Sequence, residues 1–186
     1  KLSQLEKKIK KLKSFLKKSK KPLIILCGGI KCSNSQDQLN IFLKKIQIPI
    51  VATWSGNDLI DHKDNRYVGN IGVYGNRSAN IAVQNADLIL SLGSRLDTRV
   101  TGGKPETFAR NAKKIIIDID KYELSKQRGL KVDFKLNHNL NDFLKELNKH
   151  NIKIIRNDWL KKSMNLNHSF KFPEFKRVLS KKVNPY

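Results

Sequence analysis

Short, fully apolar runs alternate with helical patterns along most of this chain, and this alternation restricts the possible folds more than any other feature. The runs occupy residues 23–27, 48–53, 88–92, 115–119 and, more weakly, 132–136. A strand whose successive side chains are all apolar has both of its faces covered, as in a parallel sheet with helices on either side. The sequence therefore predicts an α/β domain with a parallel sheet.

Helical patterns fill most of the gaps between these runs. In them, apolar residues recur at steps of three and four, as on the buried face of an amphipathic helix. The patterns occupy residues 2–20, 36–46, 78–86 and 140–147. Ser35 and Gln38 have the spacing of a capping box, which predicts that the second helix begins there. The glycine- and asparagine-rich residues 54–76 predict a loop.

The chain is strongly basic, with 38 lysines and arginines, 16 carboxylates and a net charge of +22. A charge of this size attracts phosphates without specificity. However, a codon bias toward A and T produces the same abundance of Lys, Asn and Ile. The aromatic residues also do not alternate with basic ones in any known nucleic-acid-binding signature. We therefore predict no nucleic-acid partner, and keep a basic nucleic-acid-binding protein as an alternative.

The sequence shows no segment for membrane insertion or secretion. No apolar window approaches the roughly 18 residues of a transmembrane helix. Residues 1–21 form a lysine-rich helix pattern instead of a signal peptide. That helix is expected to pack on its own domain, with a membrane-surface helix as the alternative. Cys27 and Cys32 are too few for a disulfide framework. We expect a cytoplasmic protein with no membrane partner.

Small and polar residues follow four of the predicted strands, and they form the candidate site. Ligands of an open parallel sheet bind beyond the carboxyl ends of its strands. Gly28 and Gly29 would let a pyrophosphate approach the backbone. Arg95 and Arg99 carry fork-shaped donors for a phosphate or a flavin edge. Asp118 would accept hydrogen bonds from ribose hydroxyls.

Each of these features also has a simpler interpretation. A Gly-Gly pair after a strand occurs in ordinary turns, and Arg95, Asp97 and Arg99 are consistent with a surface ion-pair cluster. The Gly-x-Gly-x-x-Gly of NAD-binding proteins, the Walker loop and the nucleophile elbow are absent. The histidines stand apart from one another and none belongs to a known metal-binding motif, so no metal site is predicted. The histidines are His62, His138, His150 and His168.

Four segments, taken together, resemble the central domain of thiamine diphosphate-dependent enzymes, and most closely that of the acetolactate synthase large (catalytic) subunit. The first is residues 86–102, which include Gly93-Ser94-Arg95-Leu96-Asp97-Thr98-Arg99. The others are residues 71–75 with Ala79-Asn80, residues 108–120 with their Ile-Asp-Ile-Asp, and Glu123 with Lys126. The resemblance covers about residues 22–147. It implies a Rossmann-like parallel sheet of about six strands with helices on both faces.

The resemblance also implies a role for specific residues. In acetolactate synthases the central domain holds FAD, which plays no redox part in the main reaction. Carried over to this chain, the implied cofactor-binding residues are Gly28, Gly29, Thr53, Trp54, Gly72, Val73, Tyr74, Gly93, Ser94, Arg95, Asp97, Arg99, Val100, Asp118 and Ile119. No catalytic residue is implied, because the family's catalytic groups lie in its other two domains.

Three positions depart from the family's pattern. Cys27 replaces the first glycine of a Gly-x-Gly, His138-Asn139 replaces a Gly-Asp pair, and Thr98 replaces an aspartate. Relatives with the same fold lack FAD, so both a flavin-binding and a flavin-free domain stay open. The chain also contains neither the Gly-Asp-Gly segment that holds magnesium and thiamine diphosphate nor the glutamate segment of the pyrimidine-binding domain.

These features predict a central-domain fragment of an acetolactate synthase-like transferase of branched-chain amino acid biosynthesis. We expect three parts: a basic helix over 1–21, the nucleotide-binding domain over 22–150, and a linker over 151–186 toward a missing diphosphate-binding domain. The full-length protein would be a homo-oligomer that condenses 2-keto acids with loss of CO2, whereas this chain alone would be inactive. A non-catalytic dinucleotide-binding module is a further alternative.

Overall fold

The computed structural model describes residues 3–126 and 129–170. The strands are β1 (Pro22–Leu26), β2 (Ile46–Gln47), β3 (Ile50–Ala52), β4 (Tyr67–Asn70), β5 (Leu88–Leu92), β6 (Lys113–Asp118), β7 (Phe134–Asn137) and β8 (Ile154–Ile155). The α-helices are α1 (Gln4–Lys18), α2 (Gly29–Cys32), α3 (Gln36–Leu43), α4 (Arg77–Asn85), α5 (Thr98–Thr101), α6 (Lys121–Ser125), α7 (Leu140–Lys149) and α8 (Asn157–Ser169). Two 3₁₀ turns lie at Trp54–Gly56 and Pro105–Thr107.

The main sheet has six strands in the order β4-β3-β1-β5-β6-β7. All of its neighbouring strands are parallel. The chain runs outward from β1 through β3 to β4, returns to β5 on the other side of β1, and continues to β6 and β7. The strand order therefore reverses between β1 and β5, which is where ligands bind in folds of this type. The predicted Rossmann-like parallel sheet with helices on both faces is confirmed.

Helices cover both faces of the sheet because its central strands are apolar except for Ser91 in β5. Every residue of β1 and of β5 is buried. Along β1, Ile24 and Leu26 pack into a core that includes residues of α1, α3 and α7. Leu23 and Ile25 point to the opposite side, into a core with α4 and Trp159 of α8. This alternation follows from the two-residue period of a strand.

Helix α1 packs on the domain's own core, as predicted for the basic N-terminal helix. It begins at a capping box in which the side chains of Ser3 and Glu6 each accept the other's backbone N–H. Ile9, Leu12 and Leu16 on one face are at most 2% exposed. The apolar face of this helix is thus already covered by the protein. Among the described residues, none of the helices combines the length and apolar character of a membrane span.

Two local predictions were wrong. The predicted loop over 54–76 contains strand β4, which is short and includes Gly69 at a positive φ of 132°. Its pairing with β3 is also irregular beside Ile50. Helix α3 does begin after Ser35, but Ser35 forms no capping bond. Its φ of −99° and ψ of 7° are not extended, and its Oγ instead lies 2.5 Å from Ser33 Oγ.

The described part of the predicted linker, residues 151–170, packs against the domain. Strand β8 pairs with β2 in a two-stranded sheet. Helix α8 contacts α4, and Trp159 is buried, with its indole Nε1 donating to the carbonyl oxygen of Pro22 at 2.9 Å. Residues 171–186 of the predicted linker lie outside the described residues.

Candidate functional site

The predicted site residues lie on the loops that follow five strands, and these loops share one edge of the sheet. They follow β1, β3, β4, β5 and β6. Since the strands are parallel, their carboxyl ends all face the same way. The packing of these loops against one another decides which residues can reach a ligand.

The loops after β1 and β5 meet in direct backbone contact at the point where the strand order reverses. The Gly29 N–H donates to the carbonyl oxygen of Gly93 at 3.2 Å. A Cβ on Gly29 would lie 2.6 Å from that oxygen, and one on Gly93 would lie 2.9 Å from the Gly29 backbone. Gly93 also has a φ of +67°. Both glycines are therefore required by the close approach of the two loops.

The loop after β3 packs against the loop after β1 through Ser55, a residue outside the predicted site. Ser55 Oγ accepts the Gly28 N–H at 3.2 Å and lies 3.3 Å from both Cys27 Sγ and Thr53 Oγ1. Thr53 is 4% exposed, so its hydroxyl serves this loop packing and not the surface. Cys27, which replaces a family glycine, is thereby accommodated as a half-buried thiol beside a hydroxyl.

The loop after β5 holds its charged residues in different ways. Asp97 caps the short helix α5 by accepting the Arg99 N–H at 3.0 Å. Arg95 pairs at long range with Asp97, at 3.6 Å, and with Glu123, at 3.8 Å. The ion-pair interpretation thus applies to Arg95 and Asp97. Arg99 is exposed, and its guanidinium forms no ion pair with the described carboxylates.

Other residues of this loop are structural. Ser94 is 4% exposed and its Oγ accepts the Leu96 N–H at 3.2 Å, which fixes the turn. Val100 is half-buried and packs against the second core. These two predicted site residues therefore shape the loop, and its exposed residues between Gly93 and Val100 are Arg95, Thr98 and Arg99.

The loop after β4 is tied to the loop after β5. The Val73 N–H donates to the Arg99 carbonyl at 2.9 Å, and Asn80 bonds both the N–H and the carbonyl of Gly72. Tyr74 stacks on Trp54, with ring centroids 5.6 Å apart and an interplanar angle of 29°. The two rings are 77% and 67% exposed. An open aromatic pair therefore stands on the sheet edge beside Arg99.

A narrow crevice lies on the other side of the switch point, between the ends of β1, β5 and β6. Gly29, Gly93, Asp118 and Ile119 line it, together with Asn139 at the start of α7. Its volume is about 130 Å³. Ligand pockets usually measure about 300–1,000 Å³, so this crevice is too small to enclose a whole dinucleotide. Asp118 is half-buried and Ile119 is 68% exposed.

His138 and Asn139, which replace the family's Gly-Asp pair, lie at the start of helix α7. Asn139 Oδ1 accepts the N–H groups of Asn141, at 2.9 Å, and Asp142, at 3.3 Å. His138 Nδ1 lies 3.2 Å from the carbonyl oxygen of Asn139. Asn139 thus caps the helix as an aspartate would, but without a negative charge at the crevice. Among the described residues no group of three His, Cys, Asp or Glu is arranged to hold a metal ion.

The sequence model of the thiamine pyrophosphate enzyme central domain matches residues 9–147. The chain belongs to this family. The acetolactate synthase large subunit of Lactococcus lactis is 38% identical over 157 residues, which are 84% of this chain and 27% of the relative. That of Cyanidium caldarium is 38% identical over 120 residues, or 64% of this chain and 20% of the relative. The chloroplastic acetolactate synthase of Arabidopsis thaliana is 40% identical over 114 residues, or 61% and 17%.

The thiamine pyrophosphate enzyme central domain therefore accounts for most of the chain, and the resemblance identified from the sequence is confirmed. The chain spans about a quarter or less of the length of these relatives. The family match begins at Ile9, so it includes most of helix α1. The N-terminal helix is thus part of the matched domain as well as of its core.

Proposed function

We propose that this chain is the central domain of an acetolactate synthase-type enzyme and that it binds FAD at the carboxyl edge of its sheet. The full-length protein would join two 2-keto acids with loss of CO2, in the biosynthesis of branched-chain amino acids. The observation that carries the proposal is the meeting of Gly29 and Gly93 at the switch point, with Asp118 on one side and exposed Arg99 on the other.

The groups available on this edge fit a flavin dinucleotide. Asp118 at a strand end is a hydrogen-bond acceptor of the kind that holds ribose hydroxyls. The Arg99 guanidinium would hold the diphosphate, since it is exposed and its planar fork matches phosphate oxygens. The Trp54–Tyr74 pair presents a flat aromatic surface for a ring system. In the acetolactate synthases that the chain resembles, FAD plays no redox part in the main reaction, so the proposed role of these residues is to bind and orient the flavin.

Catalysis would depend on groups outside this chain. Thiamine diphosphate, held with Mg2+, supplies the electron sink for decarboxylation. The segments that would hold it, a Gly-Asp-Gly and the activating glutamate of the pyrimidine-binding domain, are not in the sequence. We propose that the chain alone has no catalytic residue, and that its partners are these two flanking domains within a homo-oligomeric, cytoplasmic enzyme.

Titration with FAD, ADP and NAD by calorimetry tests the binding proposal. FAD is expected to bind more tightly than ADP or NAD, and its affinity should survive moderate salt because much of the contact is buried. Binding to phosphate-carrying ligands in general, with a steep fall in salt, would instead indicate nonspecific attraction to the basic surface. Equal binding of NAD and FAD would favour the second candidate, a dinucleotide-binding module without a flavin role.

Two further observations test the enzyme class. A CO2-release assay with pyruvate, thiamine diphosphate and Mg2+ is expected to show no turnover by the 186-residue chain. Turnover would contradict the assignment of catalysis to other domains. The coding sequence downstream of Tyr186 is expected to contain a Gly-Asp-Gly segment. Its absence there would contradict the acetolactate synthase proposal. The FAD titration would still test flavin binding in that case.

A further inference from the structure

A second charged surface lies at the amino edge of the sheet, opposite the candidate nucleotide site. It surrounds helix α1 and the points where β5 and β6 begin. We call it the lysine face, and define it as Lys10, Lys11, Lys13, Lys17, Lys18, Lys113, Lys153 and Arg156. The loops of the nucleotide site contribute no residue to it. Any ligand of the lysine face would therefore bind independently of that site.

Two grooves run along helix α1 within the lysine face. The first lies between α1 and the starts of β5 and β6, encloses about 490 Å³, and is lined by Lys11, Lys18 and Lys113. The second lies between α1 and the residues around β8, encloses about 470 Å³, and is lined by Lys10, Lys17 and Lys153 among others. Helix α1 has 15 residues, so the grooves follow a ridge about 22 Å long.

Few carboxylates offset the positive charge of the lysine face within the described part of the chain, although Glu6 attracts Lys10 on helix α1. The one carboxylate among the described groove-lining residues is Asp87, and it accepts hydrogen bonds from the Ser19 hydroxyl and the Lys20 N–H. None of the face's lysines has a described carboxylate within ion-pair distance. An anion with several charges would therefore meet unpaired ammonium groups on both sides of α1.

Two of these lysines are held in place by aromatic rings. Lys11 Nζ lies 4.6 Å from the ring centre of Phe134, and Lys113 Nζ lies 5.3 Å from that of Phe15. The two rings are themselves 6.0 Å apart. Cation–π contacts of this kind restrict the position of a lysine ammonium group without neutralising its positive charge. Two of the first groove's ammonium groups are therefore partly preorganised for an anion.

The shape of the surface favours a phosphate chain over a lipid bilayer. The apolar residues of α1 are buried in the core, so the helix has no apolar face to insert among acyl chains. The grooves are recessed, and a flat headgroup layer would bridge over them. The exposed aromatic side chains, Trp54, Tyr74, Tyr122 and Phe170, do not line either groove. The described lining residues include one aromatic ring, that of half-buried Phe15, and the Lys113 ammonium already lies over it, so the grooves offer little surface for base stacking.

We propose that the lysine face binds the sugar–phosphate backbone of a nucleic acid without base specificity. No nucleic-acid partner was predicted from the sequence, because codon bias accounts for the abundant lysines and no nucleic-acid-binding signature is present. The structure adds that lysines line two grooves. Contacts to about five phosphates of a single strand would lower the affinity roughly 100-fold between about 50 and 200 mM salt.

Fluorescence anisotropy with a labelled single-stranded 20-mer tests this proposal. The test variant combines Lys11→Gln, Lys17→Gln, Lys18→Gln and Lys153→Gln. The matched control combines Lys44→Gln, Lys63→Gln, Lys145→Gln and Lys162→Gln, four exposed lysines that lie outside the grooves. Both variants remove four positive charges, so a difference in affinity between them shows that the position of the lysines matters. Circular dichroism and thermal unfolding verify that each variant is folded.

The test variant is expected to bind at least tenfold more weakly than the wild type, and the control within about threefold of it. Equal losses of affinity in the two variants would overturn the proposal, because binding would then depend on the net charge of the protein and not on the lysine face. Failure of the wild type to bind the oligonucleotide would also overturn it. Binding to phosphatidylserine vesicles is measured as well. Vesicle binding in the absence of oligonucleotide binding would identify an anionic lipid surface as the partner.

Discussion

The amide of Gly29 donates a hydrogen bond to the carbonyl oxygen of Gly93, and the two residues follow the neighbouring strands β1 and β5 at the switch point. This contact joins the two halves of the sheet at its carboxyl edge. It also brings the loops so close that neither has room for a side chain. The inner wall of the candidate site is therefore bare backbone, as the approach of a pyrophosphate requires.

Replacement of Gly29 by alanine is expected to destabilise the protein. The new Cβ would lie 2.6 Å from the Gly93 oxygen, so the two loops must separate. Overpacking of this kind costs about 1–3 kcal/mol in free energy of unfolding, measured by urea denaturation. Gly103→Ala is the control, because no atom lies within 4 Å of its Cβ position. Equal stability of the two variants would contradict the close contact.

Arg156→Ala is expected to loosen the end of helix α1. Arg156 Nε donates to the Ser19 carbonyl at 2.8 Å and Nη2 to the Lys17 carbonyl at 3.0 Å, which satisfies carbonyls at the helix end. Loss of these charged donors should cost about 1–3 kcal/mol and speed amide exchange in α1. Lys153→Ala, an exposed neighbour, serves as the control, and amide exchange in α1 that is no faster than in that control would refute the capping role.

Asp64 is expected to contribute to the loss of stability in acid. Hydrogen bonds from the Arg66 side chain hold the pKa of Asp64 below its ordinary value, against a smaller opposing effect of burial. The stabilisation is therefore complete above the unfolded-state pKa of about 4 and is lost as the pH falls through the lower folded-state pKa.

Between about pH 6 and pH 3, Asp64→Asn should thus lose about 1 kcal/mol less unfolding free energy than the wild type does. Urea denaturation at the two pH values measures this difference. Glu106→Gln, at an exposed carboxylate, is expected to follow the wild type. If Asp64→Asn follows it too, the ion pair with Arg66 has no part in the acid response.

Trp54 is expected to report on ligand binding through its fluorescence. The chain has two tryptophans, of which Trp54 is 67% exposed and Trp159 is 7% exposed. A flavin stacked beside the Trp54–Tyr74 pair should quench the Trp54 emission and shield it from iodide. The variant Trp54→Phe should lose this response. A response that persists in Trp54→Phe would show that the ligand does not bind beside this pair.

Strands with strong patterns could be predicted from the sequence, and those without them could not. β1, β5 and β6 each contain a strong apolar run, although β5 includes Ser91 and β6 begins with two lysines and ends in Asp118. Each strand was predicted to within two residues. β4 was missed because its Gly69 and Asn70 are typical of loops, and only pairing with β3 makes it a strand. Helix α8 was missed because its buried face depends on few residues, chiefly Trp159, among exposed lysines.

The loops that form the candidate site could be predicted from the sequence, but the contacts between these loops could not. Parallel strands place their carboxyl ends together, so Gly29, Gly93 and Asp118 could be assigned to one edge from sequence. Nothing in the sequence showed that Gly29 and Gly93 touch, or that Ser55 links two loops, because these contacts join residues far apart in the chain. The ion pairs of Arg95 with Asp97 and Glu123, which Arg99 does not share with the described carboxylates, likewise depend on the packed structure.

The most direct test of the nucleotide site is the FAD dissociation constant of Arg99→Ala and Asp118→Asn, measured by calorimetry beside the exposed control Arg110→Ala. Loss of one charged hydrogen-bonding group should weaken FAD binding about 10- to 100-fold, whereas the control should match the wild type. FAD binding that is unchanged in both Arg99→Ala and Asp118→Asn, or absent from the wild type, would contradict the assignment of a flavin site to this edge of the sheet.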